Sequence, residues 1–215
     1  MSRKGKIYGL VGVIGSGKSY NAEALMVGAA CEEHPMIMGD FSEGIRRTLM
    51  EILVGEDKRI DCTSKEYADW KRLSSSVFIP FKPEADGPNI LDTTLVDGRN
   101  LLQRTGEFLK KLAGEDVWAR WTANYVANLW AKMSESEAHD CDIVFGSLRF
   151  DCEAEALFKV AETTGKEVQI IFCDFHSDSY ELNDHISEKF AQYFIGLGCK
   201  DGDDITQLVK EKING

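Results

Sequence analysis

Proline is scarce in this chain of 215 residues: there are four, and three of them fall at Pro80, Pro83 and Pro88. Outside that stretch nothing opposes regular helices and strands, whereas residues 56–97 read as loop or inserted subdomain. Long apolar runs are missing too. No segment approaches the ~20 apolar residues that a membrane-spanning helix requires, so no membrane association is expected. The short apolar run near the start leads into a glycine-rich loop rather than a cleavage site, which argues against a secretory signal. The expected location is the cytoplasm. Positive charge is in deficit: 25 Lys and Arg face 36 Asp and Glu, for a net charge of −11. That excludes a protein that wraps a nucleic-acid polymer, because phosphate backbones demand a basic face, but not one that holds a single nucleotide. The six cysteines include no C-x-x-C pair and read as reduced, mostly buried thiols. Cys31 with His34 and Cys173 with His176 have half the spacing of a zinc site, yet neither pair sits in a knuckle bounded by turn glycines, so the spacing reads as accidental. No Asn-Lys-x-Asp segment is present to read guanine, which removes a GTP switch.

What is present begins at residue 12. Gly12, four residues, then Gly17-Lys18-Ser19 form G-x-x-x-x-G-K-[ST], between an apolar run and good helix material. Each residue type has a physical reason. Gly15 and Gly17 let the backbone turn tightly enough for successive N–H groups to face phosphate oxygens, and the following helix adds its positive N-terminal end. Lys18 brings a mobile cation to the transferring phosphate, and the Ser19 hydroxyl suits Mg²⁺. The expected nucleotide site is Gly12, Gly15, Ser16, Gly17, Lys18, Ser19 and Tyr20, with ATP and Mg²⁺ as cofactors and Ser19 as metal ligand.

Strand-like and helix-like segments alternate along the chain. Residues 6–13, 35–39, 141–147, 166–175 and 190–198 read as strands. The stretches after Ser19 and at 42–55, 97–112, 115–133, 152–165 and 203–213 read as helices, two of them ended by Gly55 and Gly165. The expectation is a three-layer α/β fold: a central parallel five-stranded sheet with helices on both faces. In such sheets ligands gather at the carboxyl ends of the strands, which gives weight to Arg149, just past the strand ending at Ser147. Further cations for a phosphate acceptor are Arg46, on the helix after the second strand, and Arg99 and Arg104 on the 97–112 helix. Five positions apart, the last two are turned about 140° from each other and serve different partners.

A family resemblance rests on blocks spread from residue 6 to 210. The stretch DGRNLLQRTGEFLKKLAGEDVWARW carries Arg99, Leu101-Leu102-Gln103, Gly106 and Asp116-Val117-Trp118. SLRFDCEAEA carries Arg149-Phe150 and Glu153-Ala154, NDHISE spans 183–188, and GDFSEGIRRTL and YFIGLGCKDGDDITQLV complete the series. In this order they resemble the bacteriophage-type deoxynucleoside monophosphate kinases. The resemblance implies a single P-loop kinase domain over 1–215, with a monophosphate-binding insertion at 40–112 and a short lid at 174–189. It implies transfer of the ATP γ-phosphoryl group to a (deoxy)nucleoside monophosphate, in the host cytoplasm if the chain is phage-encoded. Lys18, Arg104 and Arg149 would act on the transferring group; Asp40, Arg46, Arg99, Gln103 and Trp118 would hold the monophosphate. It leaves room for a homodimer without specifying an interface.

Two departures from the pattern stand out. Ser147 occupies the place of an acidic residue two positions before Arg-Phe, so Asp40 or Asp151 would have to help order Mg²⁺. No arginine follows Arg149, which leaves the lid with Lys189, His176 and His185. The glycine-rich loop also resembles that of dephospho-coenzyme A kinases, although the middle of the chain does not. A non-catalytic nucleotide-binding relative is the reading from another class.

Overall fold

A computed structural model of the chain describes residues 4–31, 34–54, 78–81, 94–174 and 186–215. The chain divides into two compact units, Met1–Phe41 with Ala119–Gly215, and Ser42–Trp118.

The first unit is built on four parallel strands, β1 (Ile7–Val11), β2 (Met36–Gly39), β5 (Asp142–Leu148) and β6 (Val168–Phe172), in the order β2-β5-β1-β6. Pairing is parallel throughout, with Ile7 against Ile143 and Val168, and Met36 against Asp142. The period-2 alternation of strand side chains sorts the core into two faces. Ile7, Val11, Ile143, Phe145, Ile170 and Phe172 point one way. There they pack on α4 (Val117–Trp130), α6 (Asp151–Thr164), α7 (Lys189–Gly196) and α8 (Thr206–Asn214), through Val126, Leu157, Phe194 and Val209 among others. Tyr8, Leu10 and Val144 point the other way and pack on Ala22 and Leu25 of α1 (Lys18–Cys31). Helices therefore cover both faces, as the alternation of segments predicts. The short helix α5 (Glu135–Asp140) is closed by a Ser134–Glu137 capping box and leads into β5. Helix α6 ends on Gly165 at φ 64°, the left-handed conformation that glycine supplies without steric cost.

One sequence expectation fails here. Residues 190–198 do not form a fifth strand; Lys189–Gly196 is helix α7. Its apolar run is short enough to fit either element, and burial decides: Phe190, Ala191 and Phe194 go inside, Phe194 lying three and four residues from the other two as on one helix face, whereas a strand would turn Ala191 to the opposite side. Among the described residues the sheet of this unit has four strands.

The second unit holds α2 (Glu43–Val54), an antiparallel pair β3 (Phe78–Phe81) and β4 (Thr94–Asp97), and α3 (Gly98–Ala113). Gly106 lets α3 approach α2 closely, since a Cβ there would come within 3.0 Å of Ile45 Cδ1. The Gly106 carbonyl accepts a hydrogen bond from Trp118 Nε1 at 3.2 Å, which ties the first turn of α4 to α3. Much of the 56–97 region, including Trp70, lies outside the described residues. Among the described residues no helix is long and apolar enough to cross a membrane.

Candidate nucleotide site

The strand order positions the site. The chain leaves β1 for α1 on one face of the sheet, and leaves the neighbouring β5 for α6 on the opposite face. Adjacent strands whose connections diverge in this way open a crevice at their carboxyl ends, the place where open α/β sheets bind ligands. The two loops that line it are 12–17 and 149–150, the first carrying the glycine-rich motif and the second Arg149.

The loop after β1 has the conformation its glycines were expected to allow. Gly15 and Gly17 sit at φ 85° and 84°, where an L side chain is strained. Gly12 is excluded from carrying a side chain for another reason: a Cβ there would collide with the Cys173 carbonyl and the Ser16 hydroxyl. The Ser16 N–H donates to the Val13 carbonyl at 3.1 Å, folding the loop inward, and Ser16 itself is fully buried. Helix α1 starts at Lys18, so its first turn presents backbone N–H groups that have no partner within the helix, together with the positive end of the helix dipole. Ser19 stands in that turn; its side chain is outside the described part. Tyr20, next along, is exposed.

Lys18 is folded back on its own loop. Its Nζ donates to the Gly12 carbonyl at 2.6 Å and the Val13 carbonyl at 2.5 Å, with Ser16 Oγ at 3.4 Å. Burial pushes its pKa down to about 8, and the nearby Arg149 guanidinium pushes the same way; Glu188 and Cys173 oppose them. Lys18 and Arg149 thus place like charges at the same end of the sheet.

Arg149 is held at two points: its Nε donates to Ser147 Oγ at 3.0 Å and its backbone N–H donates to Glu153 Oε2 at 2.6 Å; Phe150, next along, is the N-cap position of α6. Ser147, expected as the weak point of the metal site, is therefore the hydroxyl that orients Arg149. Asp40, buried, follows β2 immediately at the same end of the sheet, where the Gly39–Phe145 pairing sets it level with Gly146. Its backbone carbonyl accepts from Thr122 Oγ1 at 3.5 Å.

Glu188 escaped the sequence reading. It lies in the NDHISE block that supports the family resemblance, but no role was attached to it. The carboxylate is buried and accepts the Ile14 N–H at 2.8 Å, 174 residues away in the chain. Glu153, similarly quoted only as part of a motif, holds the Arg149 backbone. Asn21 Nδ2 reaches Cys173 Sγ at 3.3 Å, behind the loop.

The structure thus brings Gly12, Gly15, Ser16, Gly17, Lys18, Asp40 and Arg149 to one end of one sheet. Ser19 and Tyr20 follow on α1, and the remaining candidates belong to the second unit. Arg46 is buried on α2, and its neighbour Arg47 is ion-paired with the fully buried Glu43. Gln103 and Arg104 are exposed on α3, on which Arg99 also lies. Trp118 is buried, with its indole N–H committed to Gly106. Among the described residues no three His, Cys, Asp or Glu side chains gather as a metal site, and Cys141, Cys152, Cys173 and Cys199 are free thiols. The Cys31 side chain and His176 lie outside the described part.

No protein-family model matches the chain, and no curated protein matches it. Among solved structures, a cysteine-to-alanine mutant of the Mycobacterium tuberculosis APS kinase CysC is similar over 91% of this chain and 98% of its own, at 14% identity and a TM-score of 0.38.

Proposed function

We propose that the chain is a phosphotransferase that moves the γ-phosphoryl group of ATP to a (deoxy)nucleoside monophosphate. The observation that carries this reading is the placement of Lys18 and Arg149 just past the carboxyl ends of the neighbouring strands β1 and β5, the first behind a loop whose glycine conformations and helix N terminus suit a polyphosphate. One cation and a glycine loop suffice to hold a nucleotide. A second, separately braced guanidinium beside them is what a transferring phosphoryl group needs, because charge spreads over its oxygens as the bond to ADP loosens.

In this mechanism no side chain acts as a nucleophile. A phosphate oxygen of the monophosphate forms the new P–O bond as the bond from γ-phosphorus to the ADP oxygen breaks, and the electron pair leaves with ADP. Lys18 exchanges the Gly12 and Val13 carbonyls for phosphate oxygens. Arg149, held by Ser147 and Glu153, neutralises charge on the transferring group. Magnesium, with Ser19 as the ligand that the family resemblance implies, would supply further neutralisation of the phosphates. Arg104 is proposed to act with Lys18 and Arg149 on the transferring group, Asp40, Arg46, Arg99, Gln103 and Trp118 are the proposed acceptor-binding residues, and the host cytoplasm is the proposed setting.

The test is purified protein with Mg-ATP and a panel of ribo- and deoxyribonucleoside monophosphates, followed by chromatography of the products. ADP appearing together with one diphosphate is the expected result. ATP binding without turnover on any monophosphate overturns the reading and leaves a non-catalytic nucleotide binder.

A further inference from the structure

We propose that Glu188 is a positioning residue of the glycine-rich loop, a clamp that fastens the Ile14 amide and so holds the loop in shape from the core. The inference rests on reading residues 12–19 as the ATP phosphate site. A carboxylate is an odd neighbour for an anion site, since it repels the ligand that the loop exists to bind. It is also costly to bury, and Glu188 is only 3% exposed. Its contacts account for both facts. Oε2 takes the Ile14 N–H at 2.8 Å, and the Ser187 hydroxyl stands 3.5 Å from Oε1. The Ile14 bond and the inward Ser16-to-Val13 bond bracket the left-handed turn at Gly15, so the loop is held open in shape without help from a ligand. The Ile14 N–H is also withdrawn from the phosphates, leaving their recognition to the first turn of α1.

The clamp has a firm base. Glu188 ends the 3₁₀ turn Ile186–Glu188 and is the N-terminal cap of α7, whose Phe190, Ala191 and Phe194 are embedded in the main core. It therefore moves with the core, not with the loop it grips.

The experiment compares the wild-type chain with Glu188→Gln and Glu188→Ala. It reads amide exchange at Ile14 without ligand, Mg-ATP affinity, and melting temperature. Glu188→Ala should speed Ile14 exchange and weaken Mg-ATP binding, each by at least about tenfold, the scale of one hydrogen bond to a charged acceptor. Glu188→Gln keeps an acceptor oxygen and should preserve both Ile14 protection and Mg-ATP affinity. A purely structural carboxylate would lower the melting temperature of Glu188→Ala while leaving Ile14 exchange and Mg-ATP affinity as in the wild type, and such a result overturns the proposal. If Glu188→Ala does not fold, loss of Ile14 protection in folded Glu188→Gln is decisive against it. If the wild type binds no Mg-ATP, the functional reading fails while Ile14 exchange alone decides the clamp. If it binds ATP but phosphorylates no monophosphate, only the kinase reading falls.

Discussion

The Arg149 guanidinium is tethered through Nε to the Ser147 hydroxyl, 3.0 Å away, two residues back along the same strand end. This makes Ser147 a rotamer lock for a cation.

Arg149→Ala should therefore lower kcat for phosphoryl transfer at least about tenfold, equivalent to ~1.4 kcal/mol. Arg149→Lys should not restore it, because an ammonium cannot be anchored at one nitrogen while offering two others in a plane. Ser147→Ala should cost less, about two- to fivefold, since it frees the side chain without removing charge. Steady-state kinetics on the three variants measure the ranking; a rate unchanged in Arg149→Ala would return that residue to the protein surface.

Lys18→Met separates function from stability. Phosphoryl transfer should disappear, yet the melting temperature at pH 7 should stay level or rise, because the wild type holds a buried, protonated lysine at a cost. The folded-state pKa of about 8 lies below the ordinary 10.5, so the unfolded chain binds more protons between these values and wild-type stability should climb as pH rises through them. The variant should lack that climb. Thermal unfolding from pH 7 to 10.5 records both.

Cys141 should oppose that trend. Burial pushes its thiol up to about 11 from 9, so above pH 9 the unfolded chain ionises first and stability falls with rising pH until about 11. Cys141→Ala should flatten this part of the profile. The fully buried Cys141 and Cys173 should react with a thiol reagent only as fast as the protein opens, while the partly exposed Cys152 and Cys199 react sooner. Labelling followed by peptide mass analysis distinguishes the two pairs.

Glycine replacements in the loop should differ in kind. Gly17→Ala places a side chain at φ 84° and should lose about 1–2 kcal/mol of stability together with most of the ATP affinity. Gly12→Ala meets the Cys173 backbone, which cannot swing aside as a side chain can, and should cost more than Gly17→Ala in chemical denaturation.

The shape of the glycine-rich loop was legible because it is local: Gly15 and Gly17, both at positive φ, determine the turn. Arg149 was legible through topology, since the alternation of segments puts it at a carboxyl strand end. Glu188 was not, because a carboxylate that grips an amide 174 residues away leaves no periodicity or spacing to read. The family-like NDHISE block flagged the neighbourhood without saying what its last residue does. The segment 190–198 misled for the opposite reason. A short apolar run has no period of its own, and the docking of Phe190 and Phe194 into the core settles its conformation from outside. Ser147 looked like a defect in a metal site because the sequence shows which residue is missing from a pattern and not which neighbour has taken up its place.

The division of the chain has a consequence for how such a protein can diversify. Strands β2 and β5 are hydrogen-bonded neighbours, Met36 on Asp142 through Gly39 on Phe145, yet the whole Ser42–Trp118 unit is spliced between them. The two points where the splice enters and leaves are close to each other, with Asp40 accepting a bond from Thr122. A segment mounted on such a narrow base can be lengthened, shortened or exchanged without altering the register of a single strand. The parallel-sheet unit and the excursion can therefore accumulate changes at different tempos, one conserving its strand register while the other varies.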